Sequence, residues 1–243
     1  MPQGYLDAMR IFNKILKPPF SNLRTRGFIS LVYVDDTLLI GYTYDQCLEN
    51  VLRTVEMLRS LGFHINVKKS VFTPTQEITF LGFIISSTAM TISLTHDKKE
   101  LILKFALSLL ESHFIPIRIL ASFIGKIISA FPAVTYGRAF YRDMEYQKID
   151  ALKAHKGNFD GLMSLNTNAI SEIEWWRDNI MSSFANISPI QIDMAIKCDA
   201  SKLGWGVHHD SSSFGGRWSL PDQENHINLL ELLAIQYAVF FFI

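Results

Sequence analysis

Phe28-Ile29-Ser30-Leu31-Val32-Tyr33-Val34-Asp35-Asp36-Thr37-Leu38-Leu39-Ile40-Gly41 is the stretch that decides the fold. Two β-rich apolar runs, 28–34 and 37–41, are separated only by Asp35 and Asp36, which is hairpin spacing. Both runs are apolar on both faces, so the hairpin is expected at the centre of a sheet. Asp is a common turn residue, because its side chain bonds nearby backbone, and an ordinary solvated turn would use it too. Two adjacent carboxylates on a rigid tip, however, repel each other unless a cation lies beside them. Hard divalent ions such as Mg²⁺ take one or two carboxylates together with substrate phosphates. Two-metal phosphoryl transfer uses that arrangement.

Upstream of the hairpin, residues 5–16 read as a helix that Pro18-Pro19 should stop. Downstream, 46–61 is amphipathic, with Leu48, Val51, Leu52, Val55, Leu58 and Leu61 recurring at three and four; Asp45 can cap its start and Gly62 its end. Strand-like pieces follow at 63–67, 78–85 and 90–94. Helices are expected over 97–111 and 116–131, the second opened by Pro116 in its first turn, and their short join implies an antiparallel pair. Two further helices run to about 182. Residues 190–199 alternate, with Ile190, Ile192, Met194, Ile196 and Cys198 on one face, as a half-buried strand does. Short strands at 204–209 and 214–219 precede a helix from about 226 to the end. The whole reads as an α+β chain, with a composition shift near Ser188-Pro189.

With 49% hydrophobic and 19% charged residues, the chain is too apolar to be disordered. Two cysteines, Cys47 and Cys198, exclude a disulfide scaffold or a Cys-rich zinc module and fit a reducing intracellular compartment, nuclear or cytoplasmic. No signal peptide is read at the N-terminus, and the apolar run 229–243 is short for a membrane span and holds Glu231; a buried helix explains it. Lys+Arg and Asp+Glu are both 23, and a net charge of zero at first argues against a nucleic-acid partner. The charges are segregated, however. Arg10, Lys14, Lys17, Arg24 and Arg26 lie in a stretch, 8–34, without an acid, and Arg118, Lys126, Arg138 and Arg142 in another, 112–142. Solvated helix faces and a path for phosphates both read this way.

At Tyr33-Val34-Asp35-Asp36 the chain resembles a reverse transcriptase. Pro2-Gln3-Gly4 before a helix, Leu61-Gly62-Phe63 running to Lys68-Lys69-Ser70, and Phe80-Leu81-Gly82-Phe83 follow that family's order around the hairpin. The resemblance implies that Asp35 and Asp36 bind Mg²⁺ or Mn²⁺. It implies that Gln3 and Gly4 contact template or nucleotide, that Lys69 or Lys68 sits near the leaving pyrophosphate, and that Phe80, Leu81, Gly82 and Phe83 form a primer-grip hairpin. A solvated lysine pair and a plain buried strand are the alternatives for the last two. Further on, Cys198-Asp199-Ala200-Ser201, Gly204-Trp205-Gly206, Gly215-Gly216-Arg217-Trp218, His226-Ile227-Asn228 and Leu230-Glu231-Leu232 resemble the opening half of an RNase H-like domain, in which Asp199 and Glu231 would hold Mg²⁺. Asp199 is otherwise a strand-end residue and Glu231 a helix-surface acid. His226-Ile227-Asn228 is expected to cap and orient the last helix.

Together with Trp175-Trp176, Gly125-Lys126, Phe131-Pro132-Ala133 and Tyr136-Gly137, the series resembles the DIRS-type, tyrosine-recombinase retrotransposons. The resemblance implies a partial right-hand polymerase palm (1–94), a helical thumb (95–145), a connection (146–188) and the first half of an RNase H-like α/β domain (189–243). It implies RNA/DNA template-primer and deoxynucleotides as partners of the intact protein, and no membrane. The family's palm carries a third carboxylate upstream of the Pro-Gln-Gly segment, and its RNase H unit carries acids beyond the glutamate helix. Both metal sites are therefore expected to be half-built here, with little or no polymerase or nuclease activity from this chain alone. A catalytically dead nucleic-acid-binding remnant of the same element is the alternative.

Overall fold

The computed structural model describes residues 7–189 and 192–242, and the chain divides into two compact units, Met1–Ser188 and Pro189–Ile243. The first begins with α1 (Ala8–Thr25), β1 (Ile29–Tyr33), β2 (Asp36–Ile40) and α2 (Tyr44–Ser60). Contrary to expectation, α1 does not stop at Pro18-Pro19 but runs through both prolines. Its buried residues Leu16, Phe20 and Leu23 bracket them, and with Phe12, Phe28, Val32, Met57, Leu58 and Phe63 they form one cluster. Continuing that apolar stripe offsets the two amide hydrogen bonds the prolines cannot make.

β1 and β2 pair antiparallel as expected, but the turn lies one residue earlier, at Val34-Asp35, with Tyr33 opposite Asp36. The two strands form a sheet of their own, and they are not covered on both faces. Ser30 is buried and Val32 packs on the helices, whereas Leu31 and Tyr33 are 53% and 59% exposed. Thr43, not Asp45, caps α2, its hydroxyl accepting the Gln46 amide at 3.2 Å. Gly62, at φ 81°, closes the other end: its amide bonds the Arg59 carbonyl and that of Phe63 bonds Leu58. A side chain would resist that left-handed conformation, and Phe63 and Leu58 meet in the cluster just described. The buried face of α2 is Asn50, Val51 and Thr54 rather than Leu52, which is 60% exposed.

Residues 63–67 form no strand. The run 78–85 is a hairpin, not one strand: β3 (Glu77–Phe80) turns into β4 (Phe83–Ser86). β5 (Thr91–Leu94) continues the sheet, and β8 (Ala185–Asn186) completes it in the order β3-β4-β5-β8. Between β5 and β8 the chain forms α3 (His96–Leu110), β6 (Ile115–Pro116), α4 (Ile117–Ala130), two 3₁₀ turns (Phe131–Ala133 and Gly137–Ala139), α5 (Arg142–Ala154), β7 (Leu162–Met163) and α6 (Thr167–Asn179). Pro116 precedes α4 and pairs with Leu162 instead of opening the first helical turn. One core joins these helices, with Phe123, Ile127, Ile173 and Trp176 fully buried; the Trp176 Nε1 donates to the Phe140 carbonyl at 2.7 Å. α5 runs unbroken across residues 145 and 146.

The second unit contains β9 (Lys197–Ala200), β10 (Gly204–His209) and β11 (Ser212–Arg217) in the order β11-β10-β9, a short α7 (Leu220–Gln223) and α8 (Ile227–Phe242). Of the expected strand 190–199, the described residues 192–196 form no strand and only 197–199 lie in β9. Ile190 lies outside the described residues, and Ile192 is 80% exposed. β9 pairs only as far as the Lys197–His208 register position, so the upstream alternation finds no partner strand. α8 packs against β9 and β10 through Leu230, Ala234 and Ala238, with Tyr237 against Trp205 at 4.7 Å. It is not the buried helix expected, since Leu232 and Phe240 are 62% and 79% exposed. Among the described residues no helix is long and apolar enough to cross a membrane.

Candidate metal and nucleic-acid site

The aspartate tip is built by its supports. At the open end of the hairpin the Asn50 Nδ2 donates to the Ile29 carbonyl at 2.8 Å and to the Ile40 carbonyl at 3.0 Å, clamping both strands. Asn50 is buried, and Thr54 donates to its Oδ1 at 3.2 Å, which fixes the amide orientation. Arg24 of α1 holds the Ser30 carbonyl at 3.0 Å. At the tip Val34 adopts φ 53°, a conformation that a β-branched side chain resists. Asp35 and Asp36 follow directly, both exposed. The ion pairs among the described residues all involve other acids, so neither tip carboxylate has a cationic partner.

A cleft of about 510 Å³ opens beside the tip. Asp35, Asp36, Lys69 and Phe80 line it, with Phe12, Leu16, Phe20 and Phe63 forming part of its apolar wall. Lys68 is exposed and does not line it. The Lys69 amide bonds the Asn66 carbonyl at 3.2 Å, so a turn, not a strand, presents this lysine. Gln3 and Gly4 lie outside the described residues.

Phe80-Leu81-Gly82-Phe83 forms the tip of the β3–β4 hairpin. Leu81 and Gly82 take φ 52° and 77°, the mirror-image geometry of two-residue hairpin turns. Lys98 of α3, which the sequence reading missed, locks this tip: its Nζ donates to the Leu81 carbonyl at 3.0 Å and lies 5.3 Å from the Phe83 ring centroid. Nothing local in the sequence ties Lys98 to a turn 17 residues upstream.

In the second unit Asp199 sits on β9, its Oδ1 accepting the Ala200 amide at 2.9 Å, and Glu231 sits on α8, which packs against that strand. Both are exposed. At the start of α8 the Asn228 amide bonds the His226 Nδ1 at 3.2 Å. Among the described residues no three His, Cys, Asp or Glu side chains gather as a metal would require, at either pair of acids. The donors present are hard carboxylate oxygens, the type that Mg²⁺ or Mn²⁺ takes, with water and phosphate completing the shell.

Residues 1–85 match the reverse transcriptase (RNA-dependent DNA polymerase) family. The Gag-Pol polyprotein of feline leukemia virus is 32% identical over 105 residues, 42% of this chain and 6% of the polyprotein. That of koala retrovirus is 30% identical over 87 residues, 35% of this chain and 5% of the polyprotein. The matches thus span a small part of those relatives. The foamy viral protease-reverse transcriptase in complex with double-stranded DNA superposes with TM-score 0.60 at 18% identity, over 99% of this chain and 48% of that one. Its complex with an RNA/DNA hybrid gives TM-score 0.59 at 17% identity, over 99% of this chain and 31% of that one. Over residues 1–85 the chain is thus similar to the reverse transcriptase family and to retroviral polyproteins, and its fold is that of the foamy viral protease-reverse transcriptase.

Proposed function

We propose that this chain is a segment of an RNA-directed DNA polymerase from a DIRS-type retrotransposon polyprotein, and that Asp35 and Asp36 are its metal-binding carboxylates. The observation that carries the reading is the cleft that Asp35, Asp36 and Lys69 all line. The order of motifs through Trp175-Trp176 and on to Glu231 supports the DIRS-type assignment, and the pairing of strand β9 with helix α8 supports an RNase H-like second unit.

In the intact protein a primer 3′-hydroxyl attacks the α-phosphate of a deoxynucleotide on an RNA or DNA template. Bound Mg²⁺ or Mn²⁺ supplies Lewis-acid stabilisation of the attacking and leaving oxygens. Asp35 and Asp36 would hold the ion at the tip, which the Asn50 clamp on both strands keeps rigid. Lys69 would neutralise the departing pyrophosphate, Gln3 and Gly4 would contact nucleotide or template, and the Phe80–Phe83 turn would hold the primer end. Asp199 and Glu231 would hold Mg²⁺ in the second unit.

Among the described residues no third carboxylate joins Asp35 and Asp36, and two-metal chemistry one ligand short loses orders of magnitude in rate. A primed RNA template with deoxynucleotides and Mg²⁺ or Mn²⁺ tests both parts. Binding of the primed template with extension near background is expected. Strong incorporation that vanishes in Asp35→Ala would overturn the incomplete site, and absence of any template-primer binding would overturn the polymerase reading.

A further inference from the structure

β11 is the outer strand of the second unit's sheet, and all six of its residues are exposed. It pairs with β10 on one side only, so every second residue turns an unpaired amide and carbonyl outward. An edge of this kind templates a further strand unless a proline, a bulge or an inward-facing charge blunts it. β11 has none of these. Its residues are Ser-Ser-Phe-Gly-Gly-Arg, and its register with β10 runs unbroken from His209–Ser212 to Gly204–Arg217.

An apolar face adjoins the edge. Phe214 stacks on Phe241 of α8 at 4.8 Å, and Phe240 meets Phe241 edge to face at 5.5 Å. Phe240 is 79% exposed, and Phe214 and Phe241 are each 43% exposed. Charges of opposite sign bracket the strand. Asp210 stands in the turn before it with its side chain 86% exposed, 3.5 Å from the His209 ring. Arg217, at the other end, pairs with no acid among the described residues.

We propose that β11 is an interface between two copies of this chain, which pair antiparallel through their β11 edges about a two-fold axis near Gly215 and join two three-stranded sheets into one. This does not depend on the polymerase reading. The edge is its own complement. Antiparallel pairing sets the Arg217 end of each strand beside the Asp210 end of its partner, so the charge contact is made twice. Gly215 and Gly216 leave room for the second copy's Phe214 ring, since aromatic side chains cover glycines across a strand pair. The exposed rings of both copies are thereby brought together and leave water. A strand from another protein would bond the same edge without matching both charges and both ring clusters.

Sedimentation velocity of the full chain over a series of concentrations and salts tests this. A monomer–dimer equilibrium that weakens with salt is expected. Arg217→Asp sets like charges against each other and should raise the dissociation constant about tenfold. Asp210→Arg combined with Arg217→Asp should restore the wild-type value, and Arg217→Lys, which keeps the charge, should dimerise as wild type does. Phe240→Lys, at an exposed position, should weaken the dimer by a similar factor of about ten. A chain that stays monomeric throughout, or a dimer that Arg217→Asp and Phe240→Lys leave unchanged, would overturn the interface. Loss of the dimer in Arg217→Asp without rescue by the charge swap would overturn the antiparallel arrangement. Assembly beyond the dimer would overturn the closed two-fold pairing.

Discussion

Glu172 shows how a carboxylate can be structural in a chain whose other notable acids face solvent. It is buried on α6, and its two oxygens accept the Asp143 and Met144 amides at 3.1 and 2.9 Å, satisfying the open N-terminus of α5. Burial raises its pKa above the usual carboxylate value despite those amides, which pull the other way. A proton is therefore held more tightly in the folded chain than in the unfolded one. The associated stability is fully present below the unfolded value and is lost as pH rises through the folded one. Glu172→Gln keeps one acceptor and removes the charge, so its melting temperature should gain on wild type as pH rises from about 4 to about 7. Glu172→Ala leaves two amides unpaired and should lose about 1–3 kcal/mol in denaturant unfolding. Parallel pH profiles for wild type and Glu172→Gln would contradict this account. No local pattern announces Glu172 in the sequence, whereas Asp35-Asp36 was legible because apolar runs framed it. The turn was misplaced by one residue because strand register follows the backbone at Val34, and a valine gives no sign of φ 53°.

Elements were legible where local chemistry decides them and illegible where a distant partner does. Gly62 ends α2 by its own conformation, so the sequence located that end. The 190–199 alternation looked like a strand, but a strand is as long as its neighbour allows, and β10 supports only Lys197–Ala200. The prolines of α1 misled in the opposite sense. Local rules stop the helix there, and packing by Phe20 and Leu23 carries it on. Pro18 is exposed, so Pro18→Ala changes little beyond the backbone. It should restore one helical amide bond and raise stability by about 1–3 kcal/mol in chemical denaturation. A loss of stability would mean that the prolines shape the helix in a way the cluster requires.

At the scale of the molecule, the order of motifs carried more than any single one. Four short segments within residues 1–85 led to a fold that the chain shares with reverse transcriptases at under 20% identity. The zero net charge, read first as an argument against nucleic acid, conceals the segregated basic stretches and the exposed acids at the tip. What the sequence could not supply was the packing around Trp176, since Phe131, Tyr141 and Trp176 meet only in the folded core. The central claim is that Asp35 and Asp36 form a divalent-metal site, and titration of Mn²⁺ followed by the electron paramagnetic resonance signal of the free ion tests it most directly. The full chain should bind Mn²⁺, and Asp35→Asn/Asp36→Asn should lose that component while melting as wild type does. Equal Mn²⁺ binding by wild type and variant, or none by either, would contradict the assignment.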